Sequence, residues 1–581
     1  MTSLSYINNV FNDFANHFQG KIERKELKKV EIENELTYIV FLSIGNPTIR
    51  ARVFKETSPN FLQALQNLHR KAIELFRKHH LDPKWIKIDV VSEAEKISFD
   101  QLENLIAKTR RNYFRYGISF DPEFRLAFLE QELNGNAMLR SLNKSPIQLN
   151  EKNINHYLKY NVSNFRFPFV KNRYRNKQVF LFKTVSSFSD RENQEIVDLY
   201  HGDLSNGIRK IDNIETESRH LIKKATYFLM NQVQDDGKFI YGYFSAFAKR
   251  IGTYNILRHS SSLYSMAEGY ELIQDEKIIK AVEKGIEYLI REAIVFKEGP
   301  EEEIAFVVDH ANEKEIKLGS NATAILALTK YMEVTRSNKY LQLAQALARG
   351  ILQMKTPSGG FMHVLTYPTY EIKDLHRIIY YEGEAIFSLL RLYAMDQQDR
   401  WLDEVKKSFD YFIENDYWKH HDHWLSYATN ELTIYEPEDK YFIFGLKNCQ
   451  EKLEFIYHRD TTFPTFLELT MATYKMTNKI KELQKDYLLD YIDEEFLKAT
   501  IDHRAEYQRV GFFYPELAMY MKEPGLIENG FFIRHHSFRV RIDDVEHYLS
   551  GYCQYVQYRT PMLPTHYHTS LIGVINNGIS E

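Results

Sequence analysis

The N-terminal part of the chain mixes strand-like and helix-like hydrophobic patterns. Two β-rich runs, residues 36–43 and 48–56, are separated by the turn sequence IGNP, which predicts a hairpin. Apolar residues at nearly helical spacing predict a helix over residues 60–80, and residues 85–92 return to strand character. This order of elements predicts an α+β domain, to which we assign residues 1–212 and no role.

Beyond this domain, long amphipathic segments replace the strand pattern, and one unit recurs. Residues 258–290, 319–352 and 381–413 each contain an apolar helix that ends near a tyrosine, a short polar turn and a second helix with a charged face. The tyrosines are Tyr270, Tyr331 and Tyr393. Each unit is therefore predicted to be a helical hairpin, and a looser copy begins at residue 422.

The two helices of each hairpin differ in their polar pattern. The first is apolar nearly all round and must be buried, whereas the second is amphipathic and can cover it. Such pairs stack into an open solenoid or close into a double ring. Since the pairs are few and their loops are long and unequal, we predict a closed (α/α) toroid of about six hairpins over residues 213–581.

Composition and charge exclude several classes of function. The formal net charge is −4 and the pI is about 6.6, so there is no global basic field for nucleic acid or a membrane surface. Two cysteines give no disulfide framework, and neither a signal peptide nor a long apolar run is present. We therefore expect a cytoplasmic protein without a membrane span. Association into a homo-oligomer is left open.

Polar residues occupy the predicted starts of the buried helices. His259, Ser320 and Glu382 lie eleven residues before the three tyrosines, and Asp422 begins the fourth copy. Helix capping accounts well for Ser320, but less well for His259, because histidine is not a preferred cap and Arg258 precedes it. Several helix N-termini that face one cavity would attract an anion, which predicts a carboxylated or phosphorylated ligand.

Metal and nucleotide sites are not predicted. The histidines of HHDH (residues 420–423) and HYH (residues 566–568) are too close together to chelate from one helix, and no HExxH motif or cysteine and histidine set occurs. Neither GxxxxGK[ST] nor GxGxxG follows a strand. We expect no metal and no cofactor.

The densest group of charges lies at residues 529–552. Residues 533–542 alternate apolar and charged positions, which predicts an extended segment in which Arg539 and Arg541 share one face. Two neighbouring guanidiniums repel each other unless an anion lies between them. From residue 543 the pattern becomes helical, with Asp543 or Asp544 predicted at the N-cap.

The C-terminal half resembles the helical domain of D-glucuronyl C5-epimerases over residues 373–559. GEAIFSLLRLYAMDQQDRWL (residues 383–402) is similar to a helical segment of that family, and GFFYPEL (residues 511–517) resembles a segment with a functional tyrosine, here Tyr514. RIDDVEH resembles the motif R-W-D-Y-H-x-x-H, with Arg541, Asp543 and His547 matching. Ile542 and Asp544 depart from it, standing where that family has tryptophan and a proton-transferring tyrosine.

The resemblance implies a toroid that acts on an anionic, uronic-acid-type sugar or glycan by removing and returning a proton, without a cofactor. The candidate catalytic residues are Tyr514, Asp544, His259 and Glu382. The candidate substrate-binding residues are Arg539, Arg541, Asp543, His547, Asp422 and Arg258. Cationic donors would stabilise the charge that builds on the substrate carboxylate.

Two other classes of function remain open. A glycoside hydrolase on the same toroid would use paired carboxylates, for instance Glu382 with Asp422 or Asp543. A binding or scaffold protein would use the same charges as a structural network that locks the last helix.

Overall fold

The computed structural model describes residues 2–141, 145–161, 168–202, 205–297 and 302–562. Its chain forms two compact units. The first unit comprises Met1–Ile211, Tyr243–Arg250 and Arg509–Val540, and the second comprises Asp212–Gly242, Ile251–Gln508 and Arg541–Glu581.

The first 211 residues contain an antiparallel sheet covered by helices. The strands of this sheet are β1 (Val30–Ile32), β2 (Glu35–Asn46), β3 (Ile49–Ser58), β4 (Trp85–Ser98), β5 (Gly117–Ser119), β6 (Ala127–Phe128), β9 (Gln178–Asp190) and β10 (Ile196–Asp198). Strands β7 (Leu139–Ser141) and β8 (Ile147–Leu149) form a separate two-stranded sheet. The helices of this region are α1 (Ser3–Glu23), α2 (Phe61–His79), α3 (Phe99–Lys108), α4 (Glu130–Gly135) and α5 (Glu151–Asn161). The main sheet runs β1-β2-β4-β9-β5-β6, with β3 beside β2 and β10 beside β9.

The predicted hairpin and the predicted helix are both present. β2 pairs antiparallel with β3, and α2 covers the same stretch as the helical pattern. Alternation along β4 sends Ile86, Ile88 and Val90 into one core with α1 and α2, while Lys87 and Asp89 form a buried ion pair of 2.8 Å on the other face. The N-terminal region is therefore α+β, as the pattern predicts.

Two later segments belong to the first unit although the sequence assigns their residues to the helical domain. Met519 and Tyr520 share a buried cluster with Ile39 and Trp85. The Tyr520 hydroxyl lies 2.7 Å from the hydroxyl of Ser43 on β2. Apolar contacts between residues far apart in sequence hold Met519 and Tyr520 in the first unit. The local hydrophobic pattern of a sequence cannot predict such long-range contacts.

Helices dominate the chain from residue 212 on. They are α6 (Ile214–Gln232), α7 (Ile256–Ile273), α8 (Glu276–Ala293), α9 (Leu318–Thr335), α10 (Leu341–Gln353), α11 (Tyr380–Asp396), α12 (Asp399–Glu414), α13 (His423–Tyr435), α14 (Asp439–Gln450), α15 (Leu453–Tyr457), α16 (Thr465–Glu482), α17 (Glu494–Tyr507), α18 (Pro515–Ala518) and α19 (Ile542–Gln554). Short 3-10 segments are Tyr417–His420, Asp486–Tyr491, Gln508–Gly511, Pro524–Leu526 and Arg534–His536, and Tyr555–Arg559 is a π-helix.

Short strands accompany these helices. They are β11 (Gly242–Phe244), β12 (Lys249–Arg250), β13 (Ile294–Lys297), β14 (Ile304–Asp309), β15 (Glu315–Lys317), β16 (Val364–Thr366), β17 (Ile372–Asp374) and β18 (Arg539–Arg541). β13 to β17 form one antiparallel sheet in chain order.

Six helices of the second unit form a closed succession. α7 packs against α9, α9 against α11, α11 against α13, α13 against α16, α16 against α19, and α19 returns to α7. Helices α6, α8, α10, α12, α14 and α17 pack on the outside of these inner helices. The inner helices are enclosed on all sides, which explains why α9 is buried from residue 318 to residue 329 whereas α8 buries a single face.

The segment before α19 differs from the sequence prediction. Residues 534–536 form a 3-10 turn, and only Arg539–Arg541 is extended. Ser537 and Phe538 have positive φ angles of 64° and 52°, and this left-handed backbone breaks the predicted strand. The N-cap of α19 is Arg541, rather than Asp543 or Asp544.

Among the described residues, no helix is both long enough and apolar enough to cross a membrane.

Candidate active site

Ionisable side chains of the second unit gather where its inner helices begin. Side chains from five of these helices, all within the first six residues or at the preceding residue, contribute to the groups described below. They are Arg258 on α7, Glu382 and Glu384 on α11, Asp422 and His423 at α13, Glu468 on α16, and Arg541, Asp543, Asp544, Glu546 and His547 at α19. The succession of inner helices therefore concentrates polar groups from distant parts of the sequence at one end.

Arg258, Arg541, Asp543 and Asp544 form one ion-pair network. The same oxygen of Asp543, Oδ2, lies 2.8 Å from Arg258 Nε and 3.0 Å from Arg541 Nη2. Arg541 also donates to both oxygens of Asp544, at 3.2 and 3.0 Å. The anion that the sequence predicts beside Arg541 is thus a carboxylate of the protein itself.

Asp543 contacts the two arginines through only one of its carboxylate oxygens. Its side chain is 10% exposed, and Oδ1 has no hydrogen-bond partner among the described residues. Burial raises the pKa of Asp543, as does neighbouring Asp544, while Arg258 and Arg541 oppose the rise. A carboxylate held at one oxygen by two guanidiniums presents its other oxygen in a defined direction.

Tyr241 completes this network from the loop before β11. Arg258 Nη1 donates to the Tyr241 hydroxyl at 2.7 Å, and the backbone N–H of Ile542 donates to the Tyr241 carbonyl at 3.2 Å. Burial and the charge of Asp543 raise the pKa of Tyr241, so the phenol stays protonated at neutral pH. Arg258, whose side chain is one-third exposed, has this phenol and Asp543 as neighbours.

A second group joins histidine and carboxylates on α16 and α19. His547 Nδ1 lies 3.1 Å from Glu468 Oε2 and 3.3 Å from Glu546 Oε1. Burial by itself would lower the pKa of His547, but the carboxylates of Glu546 and Glu468 raise it to about 10. Burial raises the pKa of Glu546 to about 8.

His423 adjoins this group from α13. Its ring contacts the His547 ring edge-on, with 5.2 Å between centroids, and its Nδ1 lies 3.3 Å from Asp422 Oδ1. Asp422 is the N-cap of α13 and accepts the backbone N–H groups of Trp424 and Leu425 at 3.1 Å. Burial lowers the pKa of His423 to about 3 and raises that of Asp422 to about 7.

Glu384 is a buried acid beside these groups. Its side chain is 4% exposed, and burial, together with the charges of Asp422 and Glu546, raises its pKa well above the ordinary value. Burial therefore favours the protonated form of Glu384, which is the form that a general acid needs.

Glu382 belongs to a separate cluster. Its Oε1 accepts a hydrogen bond from the Tyr417 hydroxyl at 3.2 Å and lies 3.3 Å from His363 Nε2. The His363 ring stacks near His376, with 4.5 Å between centroids. The neighbouring residues Glu382 and Glu384 thus contact different groups, because adjacent positions on a helix point in different directions.

His259, a predicted catalytic residue, is held on both ring nitrogens. The Tyr254 hydroxyl lies 2.8 Å from Nδ1, and Nε2 lies 2.8 Å from the Gly285 carbonyl, to which it donates. The side chain is fully buried, and burial lowers its pKa to about 4. These contacts fit a neutral histidine that joins α7 to α8.

Tyr514 and Arg539 lie in the first unit, whereas the other predicted site residues lie in the second. The Tyr514 hydroxyl accepts a hydrogen bond from Arg509 Nε at 3.1 Å, and the Arg209 guanidinium lies 4.7 Å from its ring centre. Tyr514 is 1% exposed, so its contacts fit packing within that unit.

Sequence reasoning missed Tyr241, Glu384, His423, Glu468 and Glu546 as site residues. Glu468 lies inside the apolar segment TFLELTMATY, where a buried charge is unexpected. The sequence signal that could have identified Glu468 is a charged residue in the first turn of an otherwise apolar helix.

No protein-family model matches the sequence, and no curated protein matches it. Several solved structures are similar at low identity. Cellobiose 2-epimerase from Bacillus thermoamylovorans is 13% identical, covering 59% of this chain and 99% of its own, with a TM-score of 0.45. A sugar epimerase from a ruminal bacterium is 14% identical over 50% of this chain and 87% of its own, with a TM-score of 0.40. The GH76 α-mannanase of Bacteroides thetaiotaomicron is 11% identical over 60% of this chain and 96% of its own, with a TM-score of 0.43. Likeness of this degree assigns no activity.

Proposed function

We propose that the second unit is a carbohydrate epimerase or isomerase that removes a proton from a carbon of a sugar and returns one from the opposite face. The observation that carries this proposal is the arrangement around Arg258, which binds the Asp543 carboxylate and the Tyr241 phenol. A base, an acid and a cation are the three groups that such a reaction needs.

Each group has a distinct role in this mechanism. Asp543 accepts the proton at Oδ1, since its Oδ2 is held by Arg258 and Arg541. Tyr241 supplies the returning proton from its hydroxyl. In the open-chain sugar, the electron pair of the broken C–H bond moves into the adjacent carbonyl group to give an enolate. Arg258, which stays charged, stabilises the negative charge on that carbonyl oxygen. Asp544 holds Arg541 in place through two hydrogen bonds.

The charge pattern favours a neutral reacting sugar over a uronic acid. Arg258 and Arg541 are already paired with Asp543 and Asp544. A uronate would have to displace one of these carboxylates from its arginine, whereas a neutral sugar would leave both ion pairs intact. A sugar is the favoured class because the motif RIDDVEH resembles that of a sugar epimerase family.

The proposed scaffold for this site is an (α/α) toroid of about six hairpins. Each inner helix in the closed succession is covered by an outer helix, and alternation of the two kinds along the chain supports this count. Under this proposal the site lies at the end of the toroid where the inner helices begin.

Glycoside hydrolysis is the second candidate. Burial favours the protonated form of Glu384, whereas two arginines favour the charged form of Asp543, and an acid with an ionised carboxylate is the pair that hydrolases use.

Product analysis in deuterated water separates the two candidates. The protein should be incubated with neutral hexoses, neutral disaccharides and uronic-acid disaccharides, and the products read by NMR. Epimerisation or isomerisation places solvent deuterium on a sugar carbon, whereas hydrolysis gives new reducing ends without carbon-bound label.

We expect carbon-bound deuterium in a neutral sugar, and a rate at least about 100-fold lower in Tyr241→Phe. Tyr288→Phe, which changes a half-buried tyrosine of the same unit, should keep the wild-type rate. New reducing ends without label would favour the hydrolase, and label confined to uronic acids would contradict the neutral substrate.

A further inference from the structure

Three inner helices bring metal-ligating atoms together within the second unit. One ring nitrogen of His423 on α13, one carboxylate oxygen of Glu468 on α16 and one ring nitrogen of His547 on α19 lie within 4.8 Å of one another. Glu546 is not one of these three residues, but its Oε1 lies 3.3 Å from His547 Nδ1. The separation of 3.1 Å between Glu468 Oε2 and His547 Nδ1 suits ligands that lie about 2.0–2.2 Å from a shared ion.

Two polar atoms at this cluster have no hydrogen-bond partner among the described residues. They are His423 Nε2 and Glu546 Oε1, on side chains that are 4% and 1% exposed. A buried polar atom without a partner is costly, and an ion or a water usually accounts for it. His423 is a member of the cluster and Glu546 Oε1 lies 3.3 Å from His547 Nδ1, so both unpartnered atoms adjoin the place where an ion would bind.

Polar contacts behind the donors favour one orientation of each. His423 Nδ1 lies 3.3 Å from Asp422 Oδ1, and this charge contact favours the tautomer with a proton on Nδ1 and a free lone pair on Nε2. The Tyr427 hydroxyl donates to Glu468 Oε1 at 3.4 Å, and the Ser261 hydroxyl donates to Glu546 Oε2 at 3.1 Å. Partners of this kind hold the ligands in most metal sites.

In the other histidine and glutamate group of this unit, His363 Nε2 lacks such a lone pair. His363 Nδ1 accepts the backbone N–H groups of Arg377 and Ile378, at 2.9 and 3.2 Å. The ring proton of His363 must therefore sit on Nε2, the nitrogen that faces Glu382. His363, His376 and Glu382 lie as close together as the first group, but the tautomer of His363 disfavours metal binding.

We propose that His423, Glu468 and His547 bind one divalent transition-metal ion, with Glu546 beside them. Two imidazoles and one carboxylate form a donor set that zinc and its neighbours accept, and a fourth position is then left for another ligand. The site does not depend on the proposed sugar chemistry. The ligands come from positions 423, 468 and 547, so no short motif reveals them.

Titration of the full-length, chelator-treated protein with zinc tests the site. We expect one ion per chain by calorimetry, and affinity at least about tenfold weaker in His423→Ala and in Glu468→Gln. His363→Ala is the matched control, because it removes a buried histidine from the other group, and it should keep the wild-type affinity.

Cobalt absorption and circular dichroism complete the test. Cobalt bound to the wild-type protein should show visible bands of a nitrogen and oxygen site, and these bands should be lost in Glu468→Gln. If either variant fails to fold, His547→Gln takes its place beside the wild-type cobalt spectrum. The proposal is overturned if the wild-type protein binds no zinc, or if the folded variants of His423, Glu468 and His547 keep the wild-type affinity.

Discussion

Asp543 and Asp544 are sequence neighbours with different surroundings. Asp544 accepts hydrogen bonds from Arg541 at both of its oxygens. Asp543 pairs with two arginines through one oxygen, and its other oxygen pairs with neither of them. The sequence resemblance points to position 544 as the proton-transferring one, but the geometry makes Asp543 the better base. Only three-dimensional contacts could separate the two, because both residues are acidic and both begin the same helix.

Glu315 shows how a single carboxylate can make stability depend on pH. It accepts from Arg377 at 2.8 and 2.9 Å and from Lys373 at 2.6 Å. The Arg377 hydrogen bonds lower its pKa from 4.5 to about 2, although burial opposes them. A lowered pKa in the folded state adds stability above pH 4.5, and this stability is lost as pH falls towards about 2.

We therefore predict that the stability difference between the wild-type protein and Glu315→Gln is largest above pH 4.5 and shrinks between pH 4.5 and about 2. Urea unfolding of both proteins across this range measures the difference. A difference that stays constant with pH would show that the ion pairs of Glu315 add nothing to folding.

At the scale of elements, the hydrophobic pattern is a good guide to the helical hairpins. Residues 258–290, 319–352 and 381–413 form α7 with α8, α9 with α10, and α11 with α12. The apolar first helix is the inner one in each case, since only full enclosure tolerates an apolar surface all round. The pattern fails before α19, where positive φ angles at residues 537 and 538 interrupt an alternating segment.

Close approach between α10 and β14 depends on Gly350. A Cβ at this position would lie 2.2 Å from the Ala305 carbonyl oxygen, which is backbone and cannot rotate away. We predict that Gly350→Ala destabilises the protein by about 1–3 kcal/mol, because overpacking outweighs the roughly 1 kcal/mol that alanine gains in a helix.

Gly252→Ala is the control for Gly350→Ala, since a Cβ at position 252 would meet nothing within 4 Å. Its free energy of unfolding should stay within about 0.5 kcal/mol of the wild-type value. Equal stability of the two variants in urea unfolding would contradict the close packing of α10 on β14.

At the scale of the whole molecule, the candidate site residues that the sequence predicted differ from those it missed in the polarity of the sequence around them. Arg258, Arg541 and Asp543 lie in polar segments of the sequence, where a functional site is readily suspected, and in the structure they form ion pairs with one another. Glu468 and Glu384 lie within apolar helices, and their proximity to His547 or Asp422 arises only when the inner helices close into a ring. Closure depends on long-range packing, which local patterns do not encode.

The most direct test of the proposed proton transfer compares deuterium incorporation by the wild-type protein, Asp543→Asn and Asp502→Asn. Asp502 is a matched control, because it too is a partly buried aspartate paired with an arginine, Arg559, at 2.6 Å. We predict that Asp543→Asn lowers carbon-bound deuterium in a neutral sugar at least about 100-fold and that Asp502→Asn leaves the rate within a few-fold of the wild type. Equal rates in Asp543→Asn and the wild-type protein would contradict the role of Asp543 as the base.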